Sequence, residues 1–105
     1  LEHCRWLVAD RAVIEVGSGQ GLVGLSAAQL GATRVLMTDL PYTMQDLQAS
    51  AELNGFVHTS DHESRLQVDI LDWVRHAAFF NSRPANEQFD LLLGADVIWL
   101  MQLVP

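Results

Sequence analysis

Lysine is absent from these 105 residues. All six basic residues are arginine, and thirteen acids leave a formal charge of -7. A chain so charged has no basic stripe with which to follow a phosphate backbone, so no nucleic acid is expected as a partner. Cysteine occurs once, at Cys4, which excludes an intramolecular disulfide. With no secretory signal visible, an intracellular protein is expected, cytoplasmic or also nuclear. Long apolar runs are missing too. The run Val97 to Met101 falls far short of the about 18 residues a membrane helix needs, so no membrane association is expected. There is no repeat and no low-complexity tract. What is present is a chain that is 50% apolar, which argues for one folded domain rather than disorder.

Local patterns alternate. Ala12 to Val16 is a short β-rich run that ends where glycines begin, and it reads as a buried strand. Leu22 to Leu30 is alanine-rich with helical spacing, and Gly31 suits its C-terminus. Arg34 to Thr38 is a second strand, closed by Asp39. Pro41 opens a helix to about Leu53, which Asn54-Gly55 stops. Phe56 to Arg65 is polar and irregular. Leu66 to Leu71 is a third strand, and Asp72 caps a helix from Trp73 to Phe80. Asn81 to Gln88 is a loop, Phe89 to Leu93 a fourth strand, and Val97 to Leu103 the start of another helix. Strand and helix in regular alternation predict an α/β, Rossmann-like parallel sheet in the order 3-2-1-4. The runs Val13–Val16 and Leu91–Leu93 suit central strands covered by helices on both faces. Ligands of such sheets lie at the carboxyl ends of the strands, at the switch between the first and fourth, where the glycine loop and Asp96 converge.

Glycines 17, 19 and 21 alternate directly after the first strand, where backbone without Cβ can turn tightly and approach a ligand. A second register exists: Gly19, Gly21 and Gly24 have the dinucleotide spacing, with Asp39 lying 20 residues past Gly19. That pattern begins two residues late relative to the strand. Glu15 also opposes a pyrophosphate, because a carboxylate there repels phosphate and favours an ammonium or sulfonium. S-adenosylmethionine carries both. Asp39, ending the second strand, is placed to accept the two ribose hydroxyl hydrogens.

The segment Val13-Ile14-Glu15-Val16-Gly17-Ser18-Gly19-Gln20-Gly21-Leu22-Val23-Gly24 resembles the first motif of the seven-strand, class I methyltransferases. More narrowly, the chain resembles the eukaryotic methyltransferase-like protein-lysine methyltransferases. Thr38-Asp39-Leu40-Pro41 is similar to their second-strand acidic end, and Leu71-Asp72-Trp73 to their adenine-side tryptophan motif. Phe89 to Trp99 is similar to their fourth-strand motif. The resemblance implies S-adenosylmethionine as cofactor. Glu15 and the loop Gly17, Ser18, Gly19 and Gly21 would hold its methionine part, and Asp39 with Leu40 its ribose side. Asp72 and Trp73 would border adenine, and Ala95 would line the cavity. It also implies a protein substrate whose lysine amine is oriented by Asp96 beside the aromatic face of Trp99. Trp99 stands where the family usually has tyrosine, so a role needing a hydroxyl acceptor is lost. This keeps open a methyltransferase for a small molecule or another protein residue. Relative to the family fold, three strands are absent after Leu103, so residues 1–105 read as a partial domain with an exposed sheet edge, suited to association. That also keeps open a non-catalytic remnant that needs a partner.

Methyl transfer requires neither a metal nor a covalent residue. His58 and His62, four apart beside Asp61 and Glu63, would ligate a metal only on a helix, and their surroundings read as loop, so no metal site is expected. Asp69 competes with Asp72 for the adenine side. Asp90 reads as capping or solvating the start of its strand rather than as a catalytic acid.

Overall fold

The computed structural model describes residues 5–56 and 65–95. Its elements are α1 (Arg5–Val8), β1 (Ala12–Val16), α2 (Leu22–Gln29), β2 (Arg34–Asp39), α3 (Met44–Leu53), β3 (Leu66–Ile70), α4 (His76–Ser82) and β4 (Leu91–Gly94). Single 3₁₀ turns, Pro41–Thr43 and Trp73–Arg75, lead into α3 and α4. The strands form one parallel sheet in the order β3-β2-β1-β4, as the alternation of elements predicts.

Residue pairing assigns the two faces of this sheet. Val13, Val35, Met37 and Leu66 share one face with the buried residues Leu25, Ala27 and Ala28 of α2 and Leu47 and Ala51 of α3. Val8 of α1, an element the sequence pattern did not suggest, completes this core. Ile14, Leu36, Gln67 and Leu92 occupy the opposite face. Leu36 is fully buried there, but Leu92 is 63% exposed. The described residues thus cover one face of β4, and the helix expected to follow it lies outside them.

Both helices on the first face end as their glycines dictate. Gly31 has φ +102, its N–H reaches Ala28 O and the Ala32 N–H reaches Ala27 O. Gly55 has φ +84, with its N–H on Glu52 O and the Phe56 N–H on Ala51 O. These paired bonds satisfy carbonyls that a helix end leaves open, and the left-handed residue costs glycine nothing. The Arg65 guanidinium also binds the carbonyls of Ala28 and Ala32 at the end of α2.

Some predicted boundaries shift. The helix expected over Trp73 to Phe80 begins as a 3₁₀ turn and its α-helical part runs to Ser82, so the following loop starts at Arg83 rather than Asn81. The fourth strand starts at Leu91, not Phe89. Asp90 instead makes a two-way clasp on β1: its N–H donates to Ala12 O at 2.8 Å, and its carboxylate accepts the Ala12 N–H at 2.9 Å. The capping role read from sequence is what the residue performs. The helix expected over Val97 to Leu103 lies outside the described residues.

Candidate functional site

The loop between β1 and α2 depends on three residues with positive φ: Gly17 (+62), Gly19 (+57) and Gly21 (+85). A Cβ on Gly19 would point into open space, so this glycine leaves room where the loop faces outward. Gly24 has another reason for being glycine. A Cβ there would sit 2.6 Å from Met37 Cγ and 2.7 Å from Glu15 Oε1. Its absence lets α2 press against β1 and β2, bringing the start of the helix onto the Glu15 carboxylate.

Glu15 is only 2% exposed. Its Oε1 accepts the Gly24 N–H at 3.2 Å, and its carboxylate also takes a hydrogen bond from the Ser18 hydroxyl. Burial raises its pKa; the bonds from Ser18 and Gly24 pull the other way, and the nearby Asp39 charge adds to the rise. A carboxylate thus sits inside the first turn of α2, where a helix otherwise offers its amides to an anion. This is the structural argument against a bound pyrophosphate, and it decides between the two glycine registers. Gly24 serves helix–strand packing, as the third dinucleotide glycine does, but the phosphate position is matched to a carboxylate of the protein's own.

Asp39 closes the other side of the loop. Its Oδ2 accepts the Gly19 N–H at 2.8 Å and its Oδ1 accepts the Leu40 N–H at 2.7 Å. Each oxygen keeps a second lone pair, so the carboxylate can still accept from a ligand diol. Thr38, not singled out as a site residue in the sequence, fastens the arrangement. Its N–H donates to Ser18 Oγ at 3.1 Å, its carbonyl accepts the Ser18 N–H at 2.9 Å, and its hydroxyl donates to the Glu15 carbonyl at 2.7 Å. A hydroxyl residue ending an apolar run, next to an acid, is too common a pattern to single it out in the sequence.

Farther along the carboxyl edge, Asp72 caps the turn into α4. Its Oδ1 accepts the Val74 N–H at 3.0 Å, and both Asp72 and Trp73 are half-buried. Leu71 hangs on the same edge, its N–H donating to Asp39 O at 2.9 Å. The two candidate acids have different partners: Asp69 is paired with the Arg83 guanidinium at 3.0 Å, whereas Asp72 holds the backbone of its own turn. Ala95, just past β4, is exposed. Asp96 and Trp99 lie outside the described residues, as do Cys4, His58 and His62. Among the described residues no three His, Cys, Asp or Glu side chains gather as a metal would need.

The topology therefore brings Glu15, the glycine loop, Asp39 and the Leu71–Trp73 turn to one edge of the sheet. The model of the lysine methyltransferase family matches this chain over residues 6–105. The chain belongs to that family. Among its relatives is the protein N-lysine methyltransferase METTL21A of Xenopus tropicalis. It is 36% identical over 96 residues, a match covering 91% of this chain and 40% of the relative. The EEF1A lysine methyltransferase 3 of Mus musculus is 35% identical over 95 residues, covering 90% and 36%. The chain thus spans about two fifths of the length of these relatives. Among solved structures, the ribosomal protein L11 methylase from Lactobacillus delbrueckii subsp. bulgaricus matches with a TM-score of 0.60 at 25% identity, covering 86% of this chain and 40% of that one. The Trypanosoma brucei PRMT1 enzyme–prozyme complex with AdoHcy has the same fold, with a TM-score of 0.63 at 23% identity over 87% of this chain and 25% of that one. The family and the class I methyltransferase fold read from the motifs are those the comparisons give.

Proposed function

We propose that this lysine methyltransferase family chain binds S-adenosylmethionine along the carboxyl edge of β1, β2 and β3, and supplies the cofactor side of an enzyme that methylates a lysine of a protein substrate. The observation that carries the reading is the Glu15 carboxylate, buried at the first turn of α2 with the Asp39 carboxylate at the next strand end. Two acids and a ring of glycine amides suit a ligand that carries an ammonium, a sulfonium and a ribose diol, and they repel phosphate. Glu15 and Ser18 would face the methionine part, Gly17, Gly19 and Gly21 would allow its close approach, and Asp39 beside Leu40 would take the ribose. Asp72 and Trp73 would border adenine, with Ala95 at the cavity wall.

The bound cofactor supplies a sulfonium methyl, a carbon open to in-line displacement. Glu15, Ser18 and Asp39 would hold the cofactor with that methyl open to the substrate amine, to which it would be transferred with the neutral thioether as leaving group. The amine must first lose its proton to solvent, against a free pKa of about 10.4. Asp96 is the carboxylate assigned to orient that amine, with Trp99 offering an aromatic face to it. A carboxylate favours the protonated form, so Asp96 positions rather than deprotonates. The free edge of β4, which pairs only with β1 among the described residues, is where further strands or a partner would add.

The test is calorimetric titration with S-adenosylhomocysteine, using NAD as the control. Micromolar binding of the first and none of the second is expected. Asp39→Asn should weaken it by about ten-fold or more, the worth of one charge-assisted hydrogen bond. Preference for NAD, or a folded chain that binds neither, would overturn the reading.

A further inference from the structure

Behind the adenine side of this edge lies a charge cluster that the proposed chemistry leaves unused. Arg83, at the end of α4, donates through Nη1 to Asp69 Oδ2 at 3.0 Å and through Nη2 to Gln67 Oε1 at 2.8 Å, both on β3. The same guanidinium grips Glu87 through Nε at 2.9 Å and Nη2 at 2.5 Å. Glu87 in turn binds Arg34 of β2 at 3.0 Å. The side chains of Arg83 and Glu87 are each only 6% exposed.

We infer that Arg83 is a positioning residue of the cofactor site: it fixes the end of β3 and holds the Asp69 carboxylate away from the ligand, leaving Asp72 as the acid that meets adenine. This rests on the cofactor reading above. Three observations support it. First, α4 has little apolar anchorage, since Phe79 is its one buried side chain among the described residues. The tie between α4 and the sheet is therefore largely ionic. Second, Asp69 and Ile70 pair in register with Thr38 and Asp39, and Leu71 hangs on the Asp39 carbonyl. A displacement of the end of β3 is thus delivered to the ribose carboxylate and to the Asp72 turn together. Third, Asp69 lies three residues before Asp72, and without Arg83 it keeps the Ile70 N–H at 2.7 Å but loses its paired cation at the rim. Positioned sites lose affinity steeply when a supporting group shifts them by a fraction of an ångström.

The experiment measures dissociation constants of S-adenosylhomocysteine and of 5′-methylthioadenosine, well below the melting temperature, for the parent chain, Arg83→Gln, Arg83→Lys and Asp69→Asn. Arg83→Gln should weaken both ligands by the same factor, about ten-fold, because the loss is at the adenosine end. Arg83→Lys should recover part of it. Adding Asp69→Asn to Arg83→Gln should restore part of the loss, since the freed carboxylate is removed. A merely structural arginine would lower the melting temperature and leave both constants unchanged, and that result overturns the inference. If Arg83→Gln does not fold, unchanged constants in Arg83→Lys overturn it equally. A parent chain that binds neither ligand removes the cofactor reading itself, and the inference with it.

Discussion

The centre of the sheet and its flank are held together by different forces. Around β1 and β2, side chains such as Val13, Val35, Met37 and Leu47 are fully buried, and the turn above them is fastened by Ser18, Thr38 and Glu15. Around β3, α4 and β4, the ties are Arg83, Glu87, Asp69 and Arg34, while Val74 (85% exposed), Phe80 (66%) and Leu92 (63%) face outward. The centre should therefore be insensitive to salt and intolerant of volume change. The flank should be the reverse: tolerant of truncation at its apolar residues and responsive to ionic strength. The part of the proposed site built on the centre, from Glu15 to Asp39, is thus preformed by packing. The adenine side depends on charges that solvent conditions can loosen.

The sharpest way to break this contrast is a pair of leucine truncations. Leu36→Ala should cost about 3 kcal/mol in urea unfolding, whereas Leu92→Ala should stay within about 0.5 kcal/mol. Equal losses would mean that the second face is covered at β4 as well as at β2. Next in size is Gly24→Ala. Helix propensity alone would gain up to about 1 kcal/mol from this change. The contacts at 2.6 and 2.7 Å predict instead a net loss of about 2 kcal/mol, with weaker cofactor binding because α2 is pushed off Glu15.

Smaller effects sharpen the comparison. Glu87→Gln should cost about 1–2 kcal/mol, and because its side chain is 6% exposed only a small part of that deficit should be screened in about 1 M salt, less than for Asp69→Asn, whose side chain is 31% exposed. A larger salt effect at Glu87 than at Asp69 would contradict the burial of the Arg83–Glu87 pair. The two glutamates also give opposite pH slopes. Burial works to raise the Glu87 carboxyl, but the bonds and charges of Arg83 and Arg34 outweigh it and hold it below its ordinary value. Its contribution is therefore present above about pH 4.5 and lost as pH falls through the lowered value. Glu15 is raised, so its contribution is complete below about pH 4.5 and lost as pH rises through the raised value. Glu15→Gln should flatten the stability profile above about pH 4.5 and Glu87→Gln should flatten it below about pH 4.5. Exchange of these two outcomes would refute the assignment of charges to regions.

Legibility in the sequence follows the same division. Gly17, Gly19 and Gly21 carry positive φ in the structure and were readable because only glycine adopts that backbone cheaply. Glu15 and Asp39 were readable because each ends or nearly ends an apolar run. Thr38 was not, since its role consists of bonds to Ser18 and Glu15 made across 20 and 23 residues of chain. Nor was the choice between Asp69 and Asp72. Two acids three residues apart at a strand end are equivalent on paper, and Arg83, 14 residues beyond Asp69, separates them. The spacing Arg83 to Glu87 suits a helical ion pair, yet both follow α4, and a loop brings them together.

By itself, the sequence determined the order of elements from β1 to β4, the parallel sheet, the glycine turn and the family. These are set by local backbone preference and by hydrophobic period, which act over a few residues at a time. Only the tertiary structure decided that Glu15 is buried at the first turn of α2, that Gly24 exists for Met37 and Glu15, and that Asp69 belongs to Arg83. Those facts depend on distances between strands and helices far apart in the chain, and the energy of a charge depends on what the fold places beside it.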